Sequence, residues 1–309
     1  MSSHKPVMID EVLDYLDPKA GNVYVDCTFG AGGYSKAILT KGKTTVYAID
    51  CDPDVEIFVE KIKAESGNDN LHFIKGNFAD LQSLLNAKGV DKVAGIVMDL
   101  GVSSMQLDQA NRGFSFSKDA KLDMRMNKKG YSAHEFINEA SEKEIADIIY
   151  KYGEERNSRR IAKNIVTERS KGAIDTTLQL ADIVRAAFSK SRGKIDLATK
   201  TFQAVRIFIN NELENLEQAL LVSEKMLAAQ GRLVVVSFHS LEDYIVKKFI
   251  KERSKRPVSQ SRYSPLTNKT DDFIASFKNL ANKAVKTSFK EIKLNPRARS
   301  ARLRAAEKL

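Results

Sequence analysis

Tyr24-Val25-Asp26-Cys27-Thr28-Phe29-Gly30-Ala31-Gly32-Gly33 is a short β-prone run that ends in an acid and opens into a glycine-rich turn. A helical pattern begins near Tyr34. A second run, Thr45-Val46-Tyr47-Ala48-Ile49-Asp50, ends in another carboxylate 17 residues after Gly33. Strand, turn, helix, strand and terminal acid together describe a βαβ nucleotide-binding unit. The glycines permit positive φ and a close approach of backbone to ligand. An acid at the end of the second strand can accept hydrogen bonds from both hydroxyls of a ribose.

The glycine spacing narrows the ligand. A dinucleotide site needs G-x-G-x-x-G, which seats a pyrophosphate on the helix N-terminus. Here the turn has no glycine three residues after Gly33, and Asp26 lies just upstream. A carboxylate in that place suits a cation such as S-adenosylmethionine, with its sulfonium and ammonium, better than a diphosphate. An ordinary left-handed turn in an α/β protein of another function is the plain alternative.

The 309 residues are 42% hydrophobic and 29% charged, a globular composition with room for one large domain or two ordinary ones. No apolar run approaches the length of about 20 residues that a membrane span needs. Met1-Ser2-Ser3-His4-Lys5-Pro6 lacks the apolar core of a signal peptide, so a cytoplasmic protein with no membrane partner is expected. Cys27 and Cys51, each one residue past an expected strand end, form no CxxC pair and read as small buried residues in a reducing compartment. No metal is expected.

The net charge of +10 is concentrated at one end: residues 251–309 hold 16 Lys+Arg against 5 Asp+Glu. A basic C-terminal segment on a nearly neutral body points to a polyanion, with nucleic acid favoured over a merely solvated face. Arg297, Arg299, Arg302 and Arg304 are its densest part.

Periodicity places strands at 23–27, 45–50, 71–75, 93–99 and 232–238, with helices between the early ones. After Asp99 the alternation stops. Phe136, Ile137, Ile145, Ile148, Ile149, Ile161 and Ile165 mark helices within 132–170; further helices are expected at 177–188 and, as one long amphipathic element, at 199–229. Residues 253–270 read as a loop. The fifth strand has a partner only if it rejoins the first four. The expected architecture is therefore one doubly wound, Rossmann-like sheet, residues 1–106 and 199–309, interrupted by a helical insert at 107–198.

Ligands in such sheets sit beyond the carboxyl ends of the strands. Asp26, Asp50, Asn77-Phe78, Asp99 and His239 follow the five strands in turn. Phe78 can cover an adenine face or belong to the core. Asp99 can orient the donor's amino group, accept a proton from the acceptor, or cap the following turn. Ser240-Leu241-Glu242-Asp243 has the form of a capping box with Ser240 as N-cap, and His239 has no partner at triad spacing.

Several blocks in order now carry a resemblance. Beyond the glycine turn they are Gly76-Asn77-Phe78, Asp99-Leu100-Gly101-Val102-Ser103-Ser104-Met105-Gln106-Leu107-Asp108 and Arg112-Gly113-Phe114-Ser115-Phe116. Leu122-Asp123-Met124-Arg125-Met126, Tyr152-Gly153-Glu154-Glu155-Arg156 and Thr201-Phe202-Gln203-Ala204-Val205-Arg206-Ile207 follow. Ser237-Phe238-His239-Ser240-Leu241-Glu242-Asp243 and Asn295-Pro296-Arg297-Ala298-Arg299-Ser300 complete the series. From His4 to the C-terminus the chain resembles the bacterial 16S ribosomal RNA cytosine-N4 methyltransferase family.

The resemblance implies a class I methyltransferase sheet with a helical insert for substrate recognition. It implies methyl transfer from S-adenosylmethionine to the exocyclic amine of a cytidine in the decoding region of small-subunit rRNA, within the small ribosomal subunit. It leaves room for a homodimer. Donor-contacting positions fall on Gly32, Gly33, Tyr34, Asp50, Phe78, Asp99 and Gln106, with Asp99 the catalytic candidate. Three departures from the family pattern stand in the chain: Tyr34 replaces His, Met105 replaces Pro, and Asp196-Leu197 replaces His-Pro.

The chemistry asks for in-line alignment of nitrogen, methyl carbon and sulfur, and for acceptors on the amine's N–H bonds. The usual Asp/Asn-Pro-Pro-aromatic signature of amino-methyltransferases is absent after the fourth strand. An unpaired or extruded base is required, and Arg112, Phe114, Phe116, Arg125 and Arg206 are candidates to stack on it or hold its phosphates, although Phe114 and Phe116 can instead close the insert's core. A nicotinamide oxidoreductase and a non-catalytic RNA-binding assembly factor on the same fold are the competing readings.

Overall fold

The computed structural model describes residues 6–66, 70–189, 196–254 and 273–309. Its strands are β1 (Val23–Asp26), β2 (Thr45–Asp50), β3 (Leu71–Lys75), β4 (Val93–Asp99), β5 (Leu227–Ser237), β6 (Phe277–Asn279), β7 (Val285–Lys286) and β8 (Arg302–Lys308). The helices are α1 (Ile9–Leu16), α2 (Gly33–Leu39), α3 (Glu56–Ser66), α4 (Leu81–Asn86), α5 (Ser104–Asp108), α6 (Ala133–Glu139) and α7 (Glu142–Gly153). They continue as α8 (Ser158–Arg169), α9 (Thr177–Ala186), α10 (Thr199–Asn210), α11 (Glu212–Met226), α12 (Ser240–Ser254) and α13 (Phe289–Leu294). Among the described residues no helix is long and apolar enough to cross a membrane.

The strands form one sheet in the order β3-β2-β1-β4-β5-β8-β6, with β7 also on β8. The first five run parallel, β8 is antiparallel to β5, and β6 and β7 are antiparallel to β8. The fifth strand thus rejoins the earlier four. Chain order reverses between β1 and β4, the doubly wound arrangement of a class I methyltransferase sheet.

Strands buried on both faces read as continuous apolar runs, as Ile96-Val97-Met98 and Leu233-Val234-Val235-Val236 do here. One face, carrying Val25, Ile49, Ile96, Met98, Leu233 and Val235, packs against α4, α11 and α12. The other is covered in part by α1, whose Leu16 meets Tyr24 at Gly95. Each such side chain contributes roughly 1.5–3 kcal/mol on burial, so the sheet is fixed before any site residue is considered.

The chain divides into two compact units, residues 1–101 with 214–309, and Val102–Leu213. The second unit starts five residues earlier and ends fifteen later than the insert drawn from sequence. Its core explains the difference, because Phe202 and Val205 of α10 join Phe136, Ile137, Ile145, Ile149, Ile161 and Ile165.

The long helix expected at 199–229 is two helices. Asn211 adopts φ 49° and caps α10 with its N–H to Ile207 and Phe208 carbonyls. The basic C-terminal segment contains β8, unforeseen from sequence. The loop expected at 253–270 lies, from residue 255 onward, outside the described residues.

Candidate functional site

The loop after β1 is stitched to its neighbouring strands by backbone. Cys27 N–H donates to the Val97 carbonyl at 2.9 Å and Phe29 N–H to that of Ile49 at 3.0 Å. Thr28 Oγ1 accepts from Asp99 N–H at 2.6 Å, which fixes the end of β4 beside the turn. Asp26, Asp50, Gly76-Asn77-Phe78 and Asp99 therefore stand at the carboxyl ends of adjacent strands, around the reversal between β1 and β4 where ligands of such sheets bind.

Asp26 is fully buried, and its oxygens are occupied. Oδ1 accepts from Thr28 N–H at 3.2 Å; Oδ2 accepts from Ser35 N–H at 3.1 Å and Ser35 Oγ at 2.7 Å. Burial pushes its carboxyl up to about 6 against those donors. Its proximity to the turn, read from sequence as a ligand contact, thus serves first to hold the turn onto α2.

Asp50 is half-committed. Its oxygens accept from Gly30 N–H at 2.8 Å and Asp52 N–H at 2.9 Å, one each, which leaves a lone pair on both. Burial raises it to about 6, against those N–H groups and with help from Asp52 and Asp26.

Asp99 is the exception. Its Oδ1 is buried and accepts no hydrogen bond. Burial lifts its carboxyl well above the usual range, and Asp26 and Glu242 lift it further. A buried unpartnered acceptor costs roughly 1–3 kcal/mol, and such groups cluster where a ligand completes them. Acids with raised carboxyls around one free oxygen fit a bound ammonium or sulfonium. They do not fit a pyrophosphate.

The positive φ expected of the turn is present at Gly30 and Gly32, while the space beside Gly32 and Gly33 is not left open. Gly32 has φ +76°, and a Cβ there would meet Ile62 Cδ1 at 2.2 Å and the Phe29 ring at 2.7 Å. A Cβ at Gly33 would meet Pro6 Cγ at 2.0 Å. The chain itself fills the space beside them. Tyr34 is likewise spent inside: buried, it donates its hydroxyl to the Val7 carbonyl, so only its backbone is free to meet a donor. Phe78 is half-buried behind Asn77, whose side chain accepts from Ala79 N–H at 2.9 Å, and it packs on the sheet core.

Gln106 belongs to the helical unit, where its Oε1 accepts from Ser103 N–H at 3.0 Å as half of the α5 capping box. At α12 the expected capping box exists one residue earlier. His239 is the N-cap, its Nδ1 accepting from Glu242 N–H at 3.4 Å while Glu242 Oε2 accepts from His239 N–H at 3.3 Å. Ser240 is the first helical residue. Cys27 is buried and Cys51 half-buried, and neither forms a disulfide.

The residues offered for RNA contact are committed elsewhere. Arg112 is buried and donates to the Arg125 and Met126 carbonyls at 3.0 and 2.8 Å. Arg125 forks onto Asp123 at 3.0 and 2.7 Å, and Arg206 onto Glu212 at 2.8 and 2.9 Å. Phe114 lies in the helical core, and Phe116 stacks edge-on with Phe202 at 4.7 Å. Arg302 and Arg304 belong to β8 and grip the buried Asp243 at 3.2 and 2.7 Å. Arg297 and Arg299 remain exposed. Asp196, one of the departures, pairs with Arg185 at 2.8 Å.

The chain is similar to known proteins along its whole length. Ribosomal RNA small subunit methyltransferase H of Rickettsia akari (strain Hartford) is 55% identical over 313 residues, covering 100% of this chain and 99% of that one. The protein of the same name from Rickettsia prowazekii (strain Madrid E) is 56% identical over 306 residues, covering 99% and 98%. A solved rRNA methylase from Streptococcus thermophilus is a distant likeness, 11% identical with a TM-score of 0.43 over 100% of this chain and 99% of that one. A family model described as the MraW methylase family matches residues 1–309, and the chain belongs to that family.

Proposed function

We propose that the protein transfers a methyl group from S-adenosylmethionine to the exocyclic N4 amine of a cytidine in the decoding region of 16S ribosomal RNA. The observation that carries the reading is the buried, unpartnered Oδ1 of Asp99 at the switch point of the sheet. The name shared by relatives at 55% and 56% identity supports small-subunit rRNA as acceptor. The N4 position and the decoding region come from the sequence resemblance.

When bound, S-adenosylmethionine supplies an electrophilic methyl carbon on a sulfonium. Asp99 Oδ1 takes the ammonium of the donor's amino-acid end, which pairs the orphaned oxygen and keeps the carboxyl ionised. The open lone pairs of Asp50 accept from ribose hydroxyls, and Phe78 covers the adenine. Gly32, Gly33 and Tyr34 contribute backbone, and Gln106 stays in the donor set on the resemblance alone. Asp99 is catalytic by alignment: it fixes the methyl carbon against an amine whose lone pair is delocalised into the ring. Asp99 Oδ1 is given to the ammonium, and the amine's proton is not assigned to it. The helical unit, Val102–Leu213, is the substrate-recognition element.

Nucleoside analysis of small-subunit rRNA treated with protein and labelled donor tests the reading. Label in N4-methylcytidine is expected; label in a ring-carbon methyl, or none, would overturn it.

A further inference from the structure

Of the arginines first suspected of holding RNA, Arg112, Arg125, Arg206, Arg302 and Arg304 are paired within the chain, which directs attention to the cations of the helical unit that are not. Lys163 lies four residues after Arg159 and three after Arg160 in the first turns of α8, hence on one face, and Arg156 stands in the turn two residues ahead of the helix. All four are exposed, and none of their side chains forms an ion pair or hydrogen bond with a described residue. The opposite face, Ile161, Ala162 and Ile165, is buried in the helical core, so the orientation of α8 is fixed and the cations face outward. Lys200 extends the group: its Nζ donates to the Glu154 carbonyl at 2.9 Å, two residues ahead of Arg156.

The neighbouring acids serve other partners. Glu155 is buried and accepts from Asn157 N–H at 2.8 Å, and Glu168 pairs with Lys171 at 2.7 Å. The positions also run against helix electrostatics, since the N-terminal turn carries partial positive charge and disfavours cations. Like charges at three- and four-residue spacing add a further cost of the same sign. A cluster that is locally unfavourable, rigidly presented and unpaired has its counter-ions outside the chain.

We propose that this face of α8 is the surface on which the helical unit docks the RNA phosphate backbone. This rests on the reading that the protein acts on RNA. Guanidinium forks match phosphate oxygens, and the repeat of the cations, about one 5.4 Å turn, tracks an extended strand better than a compact anion.

The test compares three full-length proteins: wild type, the variant Arg156→Gln, Arg159→Gln, Arg160→Gln, Lys163→Gln, and a control with Lys41, Lys43, Lys63 and Lys88 changed to Gln. Binding to a 16S rRNA fragment is measured across a salt series, alongside calorimetric titration with S-adenosylmethionine and thermal melting. The α8 variant is expected to lose roughly tenfold or more in RNA affinity, and its log-affinity against log-salt slope to shrink by about 3. Its melting and donor affinity should match wild type, and the control should keep most of its RNA affinity.

Equal losses in both variants would assign the effect to net charge and overturn the proposal. So would an α8 variant that binds RNA like wild type but loses an acidic protein partner instead. A wild type that binds donor but no RNA would overturn the acceptor reading itself, which separates that failure from this one.

Discussion

At the scale of single residues, the site is a set of buried acids that differ in how far the chain satisfies them. Asp26 is complete, Asp50 is half-complete, and Asp99 has an oxygen with no partner. The first two are pushed up to about 6 from an ordinary 3.8. Their folded forms bind protons more tightly than the unfolded chain, so their contribution to stability is full below about pH 4 and is lost as pH rises towards 6. Donor binding has the opposite preference: the ribose hydroxyls favour the ionised form of Asp50, so binding releases its proton below about pH 6. The stabilisation of melting by S-adenosylmethionine should therefore grow from about pH 5 to 7. A shift that does not change with pH would contradict this.

Replacing Asp50 with Ala removes the acceptor of Gly30 and Asp52 N–H. It should cost about 1–3 kcal/mol in denaturant unfolding and at least tenfold in donor affinity. The presence of these acids was legible in sequence, because each follows a β-prone run. Which of them keeps a free oxygen was not, since that depends on Ser35, Thr28 and Gly30 arriving from other elements.

At the scale of elements, the parallel strands were legible because burial on both faces demands continuous apolar sequence. β8 was not, since Arg-Leu-Arg-Ala-Ala-Glu-Lys is poor in β-formers and its arginines mimic a solvated tail. Only the fold reveals that Arg304 is mostly buried and held, with Arg302, by Asp243, whose carboxyl those guanidiniums keep low although burial would raise it. Asp243→Asn should leave Arg304 without its counter-ion and cost about 3 kcal/mol, with faster hydrogen exchange at Leu303 and Ala305. Unchanged exchange would mean that β5 pairing alone holds the strand.

The break between α10 and α11 was missed for a related reason: a residue in the left-handed region ends a helix without interrupting its apolar period. The turn at α2 carries a steric prediction. Gly33→Ala would drive a methyl into Pro6 and should destabilise the protein by about 1–3 kcal/mol in thermal or urea unfolding.

At the scale of the whole molecule, the chain divides into a sheet unit and a helical one, and the alternation of strand and helix stops at Asp99, three residues before the helical unit begins at Val102. Periodicity misassigned α10, because an amphipathic helix does not state which core its apolar face joins. Net charge pointed to a polyanion, but charge counting cannot tell a paired arginine from a free one. The methyl-transfer reading predicts that turnover at limiting RNA falls steeply with salt while donor binding does not. Equal salt dependence of the two would contradict a phosphate-led encounter.

The central claim is that the free oxygen of Asp99 anchors a cationic methyl donor. Calorimetric titration of the full-length protein with S-adenosylmethionine at neutral pH, for wild type and Asp99→Asn, tests it most directly. The account predicts binding by wild type and a folded variant whose affinity is roughly 10–100-fold weaker, the loss of one charge-assisted hydrogen bond. A folded Asp99→Asn protein that binds the donor as tightly as wild type would contradict it.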